Sequence, residues 1–288
     1  MELLKETKFL MKKYNITANK RLGQNFLIDE EPIIKAIQAA NITKEDLVIE
    51  IGPGLGTLTK FLLEEAGKVI CIELDERMLK ILNDRFLAYN NFQLINDDVL
   101  KVDLKNLIKT EKNNEIKNVK IVANLPYYIT TPIIMKLLEE RLDIKSITVM
   151  VQKEVADRLV AKPGEEFSGA ITYSINYYTN PEKVIDAPST SFLPAPEVDS
   201  AIIKLEVLDK PAVEVLNEET LFKVIKLAFM QKRKTLLNAF SNGNLLKSKT
   251  EIEKMLECLN IDLKIRGEKL TLEQFAEIAD YIERIKQK

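Results

Sequence analysis

Two periodicities of apolar residues alternate along the first two thirds of this chain. Short apolar runs rich in β-branched residues predict buried strands, and segments with helical spacing of apolar positions follow most of them. The predicted strands are 47–51, 68–74, 92–96, 120–123, 146–152, 183–187 and 201–208, of which the last is inserted antiparallel. The pattern therefore predicts an α/β fold built on a mainly parallel, seven-stranded sheet.

Helical periodicity predicts the elements that cover this sheet. The helix 31–40, with Asp29 as N-cap, is expected before the first strand. Further helices are expected at 57–65, from Asp75 and Glu76 onward, as a short helix within 101–117, and at 153–160 and 167–178. From Val213 the alternation stops, and three helical patterns follow at 221–240, 249–259 and 271–286. We therefore predict two domains, an α/β domain over 1–208 and a small all-helical domain over 209–288.

A glycine-rich turn ends the first predicted strand. Gly52, Gly54 and Gly56 stand between the strand and the helix at 57–65. Ligands of open α/β sheets bind outside the carboxyl ends of the strands, so Gly52 and Gly54 are expected to approach a cofactor. The dinucleotide fingerprint G-x-G-x-x-G would need glycine where Thr57 stands. The spacing therefore favours an adenosyl cofactor without phosphates over a dinucleotide, while a turn that binds no ligand stays the alternative.

Acidic residues follow the next two predicted strands. Glu73 lies about 21 residues after Gly52, where a carboxylate can accept hydrogen bonds from ribose hydroxyls. Asp98, followed by apolar Val99, is suited to an adenine, because the acid accepts from the exocyclic amine while the neighbour packs on the ring. Asp97 and Asp98 together also suggest a cation site, but no EF-hand spacing follows, and we predict no metal.

The fourth predicted strand ends in Asn124-Leu125-Pro126-Tyr127. Pro126 fixes the backbone and disfavours helix at Leu125, so the Asn124 amide and the Leu125 carbonyl can serve as two acceptors. Tyr127 offers a flat face beside them. This combination predicts a site for the amino group of a planar base, and Phe192, in a proline-stiffened loop, is expected to form its second wall or to anchor the core.

Composition limits the remaining chemistry. The 288 residues carry a net charge of −2, with two cysteines and no histidine, so pairs of a nucleophile with an imidazole base are excluded. No segment is apolar enough to span a membrane, and we expect a soluble, cytoplasmic protein. With so little net charge, a surface that binds nucleic acid must be a local basic patch, and the candidate comprises Lys223, Lys226, Lys232, Arg233 and Lys234.

These motifs together resemble those of the rRNA adenine dimethyltransferases, most closely the bacterial type that modifies 16S rRNA. The similarity runs from about Lys20 to the end of the chain, and it rests on residues 23–27, 50–54, 73, 98, 124–128 and 192–200. It implies a class I, Rossmann-like methyltransferase fold, S-adenosylmethionine as methyl donor and two adjacent adenosines near the 3′ end of 16S rRNA in the small ribosomal subunit as acceptors. A monomer is expected.

The resemblance also implies roles for particular residues. Asn25, Leu27, Gly52, Glu73, Asp98 and Asn124 would bind the donor or bridge it to the target, and Asn124 to Tyr127, with Phe192, would hold the target adenine. Two rivals remain: a macrolide-resistance type of enzyme that modifies 23S rRNA, and a ribosome-assembly factor without catalysis. The intact motif at 124–127 and Asp98 argue against the second.

Overall fold

The computed structural model describes residues 2–231 and 233–286. Within them, contacts divide the chain into two compact units. The first unit comprises residues 2–156 and 182–207, and the second comprises residues 157–181, 208–231 and 233–286. Residues 157–181, which the sequence prediction placed in the α/β domain, thus group with the C-terminal helices.

A seven-stranded sheet forms the centre of the first unit. Its strands are β2 (Asp46–Ile51), β3 (Lys68–Glu73), β4 (Phe92–Asn96), β5 (Asn118–Asn124), β6 (Ser146–Gln152), β7 (Thr179–Ala187) and β9 (Ser200–Val207). They lie in the order β4-β3-β2-β5-β6-β9-β7. Strands β2 to β6 pair in parallel, and β9 pairs with β6 antiparallel, with Ser200 opposite Gln152. The predicted α/β fold and the antiparallel insertion are confirmed.

The helices of the first unit follow its strands, except for α1, which precedes them. They are α1 (Glu2–Lys13), α2 (Glu30–Ala40), α3 (Thr57–Glu65), α4 (Glu76–Phe86), α5 (Leu104–Glu111), α6 (Thr130–Glu139) and the first half of α7 (Lys153–Val160). The Asp29 carboxylate caps α2 by accepting from the Glu31 amide, as predicted. Strands β2 and β3 are mostly apolar and almost wholly buried, which is why they gave clear signals in the sequence.

A small second sheet joins two loops of this unit. Strand β1 (Phe26–Leu27) pairs antiparallel with β8 (Phe192–Leu193), and the Ile28 amide donates to the Ser191 carbonyl. The side chains of Phe26, Leu27 and Phe192 lie in the hydrophobic core of the unit. The amide-rich loop at 23–25 is therefore fixed at its carboxyl end by a pairing with a segment more than 160 residues away.

The second unit contains the remaining helices. They are the end of α7, α8 (Ala170–Tyr178), α9 (Glu218–Met230), α10 (Leu236–Asn242), α11 (Lys249–Cys258) and α12 (Leu272–Lys286). Tyr173, Phe229 and Phe275 pack together in its core, with ring centroids 4.9 to 6.5 Å apart. The predicted single helix 221–240 is wrong. The backbone of Gln231 leaves helical geometry, and the Thr235 side chain caps a new helix by accepting from the Asn238 amide.

The start of the predicted helix 167–178 is also wrong, because α8 begins only at Ala170 after Gly169 with extended backbone. Throughout residues 2–231 and 233–286, no helix has the length and apolarity that a membrane crossing requires.

Candidate functional site

The carboxyl ends of four adjacent strands in the first unit surround one cavity. Strands β4, β3, β2 and β5 each deliver residues to its wall. Every residue that the sequence predicted to bind a cofactor lines it: Asn25, Leu27, Gly52, Gly54, Glu73, Asp98, Val99 and Asn124, together with Leu125, Pro126 and Tyr127. The separate strand-end motifs of the sequence thus meet at a single place.

The glycine turn forms the floor of this cavity. Gly52 has φ +68°, and a Cβ built on it would have only the Pro126 Cδ within 4 Å, at 4.0 Å, so the cavity is open directly above this backbone. Gly54 is required for a different reason: a Cβ there would lie 3.3 Å from the Phe26 ring. The missing side chains allow a ligand to approach the turn at Gly52 and allow Phe26 to pack on it at Gly54.

Glu73 connects the glycine turn to the start of α4. One carboxylate oxygen accepts from the Gly54 amide at 3.0 Å, and the other accepts from the Asp75 amide at 2.8 Å. The side chain is buried, and burial raises the pKa of Glu73, while the two amides oppose that rise. Each oxygen keeps a further lone pair, so the carboxylate can still accept from a ligand hydroxyl.

Asp98 is half-buried at the end of β4, beside fully packed Val99. Its Oδ1 accepts from the Leu100 amide at 3.0 Å, which orients the carboxylate and leaves Oδ2 as a further acceptor. An acceptor next to an apolar wall is the arrangement that an aminopurine edge requires. Among the described residues, no group of three or more acidic or cysteine side chains could hold a metal ion.

The amide of Asn124 is oriented by the loop that precedes β1. Its Nδ2 donates to the Asn25 carbonyl at 3.3 Å, so Oδ1 is the atom left to accept. The Leu125 amide donates to the Met150 carbonyl of β6 at 3.1 Å, and Pro126 holds extended backbone with ψ 129°. Strand pairing and the proline thus set the direction of the chain at the two predicted acceptors.

Tyr127 and Phe192, the two predicted ring walls, differ in placement. Tyr127 is half-buried on the cavity wall, and its hydroxyl lies 2.7 Å from the Ser200 Oγ. Burial raises the pKa of Tyr127. Phe192, by contrast, is 2% exposed in the core and does not line the cavity. The structure therefore places Phe192 as a core anchor, the alternative left open by the sequence, and a stacking role would require it to move.

Three features of the site were not assigned from the sequence. The Gln24 side chain donates to Asp75 at 2.7 Å, which ties the loop at 23–25 to the N-cap of α4. Tyr128 lines the cavity with 54% of its surface exposed. A long-range pair such as Gln24 with Asp75 has no local sequence signal, whereas Tyr128 adjoins a motif that was already recognised.

The third feature is a buried carboxyl group beneath the glycine turn. Glu50 is 2% exposed, accepts from the Thr59 hydroxyl at 2.6 Å and lies 3.5 Å from the Cys71 sulfur. Desolvation raises the pKa of Glu50 to about 7, and the charge of Glu73 adds to the rise. A group at the cavity wall therefore changes charge near neutral pH.

The basic residues of the second unit are placed in two groups. Lys223 and Lys226 are exposed on α9, whereas Arg233 and Lys234 are exposed in the connection between α9 and α10. Lys232 lies outside the described residues. That these side chains bind RNA stays a prediction.

Comparisons with known proteins agree with this geometry. Residues 15–284 match the family model described as "Ribosomal RNA adenine dimethylase". The "Ribosomal RNA small subunit methyltransferase A" of Alkaliphilus oremlandii is 45% identical over 276 residues, which cover 96% of this chain and 96% of that protein. The protein of the same name from Clostridium acetobutylicum is 47% identical, with coverage of 96% and 98%.

Solved structures give the same result for the fold. A dimethyladenosine transferase from Plasmodium falciparum superposes with a TM-score of 0.73 at 30% identity, covering 88% of this chain and 95% of that one. The 23S rRNA methyltransferase ErmE superposes with a TM-score of 0.67 at 24% identity, covering 90% and 100%. The second likeness concerns the fold alone.

Proposed function

The chain belongs to the ribosomal RNA adenine dimethylase family, and from that membership we propose its reaction, substrate and site residues. It is an S-adenosylmethionine-dependent rRNA adenine N6-dimethyltransferase. We propose that its targets are two adjacent adenosines in the 3′-terminal hairpin loop of 16S rRNA. The observation that supports this most is that acceptors from three neighbouring strand ends and the glycine turn at the end of a fourth strand open into one cavity.

The residues of the cavity fit S-adenosylmethionine as donor. Glu73 has acceptor capacity for the ribose hydroxyls, Asp98 with Val99 suits the adenine, and the open backbone at Gly52 admits the amino-acid part. Asn25 and Leu27 close the same wall. The bound donor supplies a methyl group already activated on a sulfonium. The protein is left mainly with alignment, which is an entropic and electrostatic task.

The target amine would be held by Asn124 and Leu125. Adenine N6 is a poor nucleophile because its lone pair is delocalised into the ring. Acceptors at the Asn124 Oδ1 and the Leu125 carbonyl favour a pyramidal nitrogen and the positive charge that develops on it. Tyr127, anchored by Ser200, offers a flat face for the base. The methylated amine is acidic enough to lose a proton to water, so the absence of histidine is no obstacle.

The relatives favour 16S over 23S rRNA. Proteins 45 to 47% identical over nearly the whole chain are named small-subunit methyltransferases, whereas the superposed 23S enzyme is 24% identical. We propose that the chain acts in the cytoplasm as a monomer on the small ribosomal subunit. The exposed cations Lys223, Lys226, Arg233 and Lys234, and Lys232 by its sequence position, would contact RNA phosphates.

The direct test is methyl transfer from labelled S-adenosylmethionine by the purified protein. Small and large ribosomal subunits that lack adenine dimethylation are offered in parallel, and the rRNA is digested and mapped by mass spectrometry. We expect N6,N6-dimethyladenosine at two adjacent positions of 16S rRNA. Modification of 23S rRNA instead would select the macrolide-resistance type, and RNA binding with no methyl transfer would select the assembly factor.

A further inference from the structure

The N-terminal helix α1 lies outside every motif that the reaction uses, yet it is joined to the cofactor cavity. Its buried residues, Leu3, Thr7 and Leu10, recur at helical spacing, and Leu3 and Leu10 pack into the hydrophobic core of the first unit. Glu6 lies on the same side of the helix, within one turn of Leu3 and Leu10. The Glu6 carboxylate therefore lies on the face of α1 that packs against the rest of the first unit.

Glu6 meets Arg85, a largely enclosed cation in the last turn of α4. The two side chains form an ion pair, and 11% of the Arg85 side chain and 32% of the Glu6 side chain are exposed. Burial lowers the pKa of Arg85, and the charge of Glu6 opposes that change most among its neighbours. An enclosed guanidinium needs such a partner, because an unpaired charge away from water is costly.

The same guanidinium reaches the glycine turn. Its Nη1 donates to the Leu55 carbonyl while its Nη2 binds Glu6. The next residue, Phe86, packs beneath the turn, since a Cβ on Gly56 would lie 2.6 Å from its ring. The Arg85 guanidinium thus holds the Leu55 carbonyl next to α4. Its pairing with Glu6 orients the guanidinium for this contact.

We infer that Glu6 and Arg85 are positioning residues, through which α1 holds the glycine turn in the conformation that binds the methyl donor. The inference rests on the proposed function. It assigns to the N-terminal helix a part in donor affinity rather than in the chemical step, because neither side chain lines the cavity. Glu6 contacts Arg85, and Arg85 in turn contacts the Leu55 carbonyl. Because the second contact depends on the first, replacing Glu6 and replacing Arg85 should have effects that do not add.

The test measures KM and kcat for S-adenosylmethionine, together with its Kd by calorimetry and the Tm. The variants are Glu6→Gln, Arg85→Lys and the two combined. Glu6→Gln keeps the side-chain size at a partly exposed site, so the test does not depend on a change at enclosed Arg85. Arg85→Lys keeps the charge but has a single amine in place of the fork. Glu2→Gln, exposed on the same helix, and Tyr14→Phe, which removes the 3.0 Å bond from Tyr14 to Asp84 on α4, are the controls.

We expect Glu6→Gln and Arg85→Lys each to raise KM and Kd for the donor roughly tenfold, the size of one hydrogen bond to a charged group, with kcat within about twofold. The double variant should lose no more than the larger single loss, since one chain of contacts is broken. The controls should bind as the wild type does. Lower Tm in Glu6→Gln with unchanged donor Kd would overturn the inference and leave the proposed function intact. A wild-type protein that does not bind the donor would contradict both.

Discussion

Replacing Glu73 by glutamine tests the cofactor half of the site, because this one carboxylate holds two backbone amides at once. Its oxygens accept from Gly54 in the glycine turn and from Asp75 at the start of α4, at 3.0 and 2.8 Å. Glutamine keeps the size of the side chain but offers one oxygen and one amino group. One of the two amides therefore loses its acceptor and faces a donor instead.

The expected loss of donor affinity follows from the one hydrogen bond that the substitution removes. A hydrogen bond to a charged acceptor contributes about 1.5 to 3 kcal/mol, so one lost bond should weaken S-adenosylmethionine binding by roughly ten- to a hundredfold. The larger change Glu73→Ala leaves both amides without the carboxylate and should also lower stability. We expect the loss in donor affinity even though Glu73 is 5% exposed, because the turn that it holds forms the cavity floor.

Calorimetric titration of the donor into wild type and Glu73→Gln measures the effect. Glu76→Gln is the matched control, because Glu76 is exposed in the first turn of α4, whose N-cap residue Asp75 donates its backbone amide to Glu73. A circular dichroism spectrum and Tm close to those of the wild type establish that the variant is folded. Donor affinity within twofold of wild type in a folded Glu73→Gln would refute the assignment of this carboxylate.

Three further outcomes are expected. Asn124→Ala should bind RNA and fold normally but lose turnover by on the order of a hundredfold, since its Oδ1 acts mainly in the transition state; near-normal kcat would make 124–127 a structural turn. Neutralising Arg233 and Lys234 should lower RNA affinity and flatten its salt dependence by roughly 0.7 to 0.9 slope units per lost phosphate contact, without changing donor binding; an unchanged slope would make them solvated charges. Because the folded-state pKa of Glu50 is raised from 4.5 to about 7, its contribution to stability is present at low pH and lost as pH rises through this window. Glu50→Gln should therefore gain up to about 3 kcal/mol of unfolding free energy relative to wild type between pH 4.5 and 7 in denaturant titrations, and a constant difference would contradict the raised pKa.

The elements with a regular apolar pattern, and the polar residues that directly follow a strand, could be predicted from the sequence. Buried parallel strands are continuous apolar runs, so β6 was predicted at its observed bounds. The half-buried edge strand β4 was also predicted at its observed bounds. The strand-end residues Glu73, Asp98 and Asn124 could be found because parallel strands bring their carboxyl ends to one edge.

Elements fixed by distant partners could not be predicted. The two-residue strands β1 and β8 have no periodicity, and only their pairing places Phe192 in the core rather than on the cavity wall. Helix α1 was not predicted because its many charged residues obscure the apolar pattern, although its buried positions do recur at helical spacing. The break between α9 and α10 depends on the Thr235 cap, which is a weak signal within a long apolar pattern.

The central claim is that this chain dimethylates adenines of 16S rRNA with the amine held at Asn124. The measurement that tests it most directly is mass mapping of the 3′-terminal hairpin of 16S rRNA from a strain that lacks the protein. We predict that two adjacent adenosines lose both methyl groups, that the wild-type protein restores them, and that Asn124→Ala at equal abundance does not. Full dimethylation of this hairpin in the deletion strain would contradict the account.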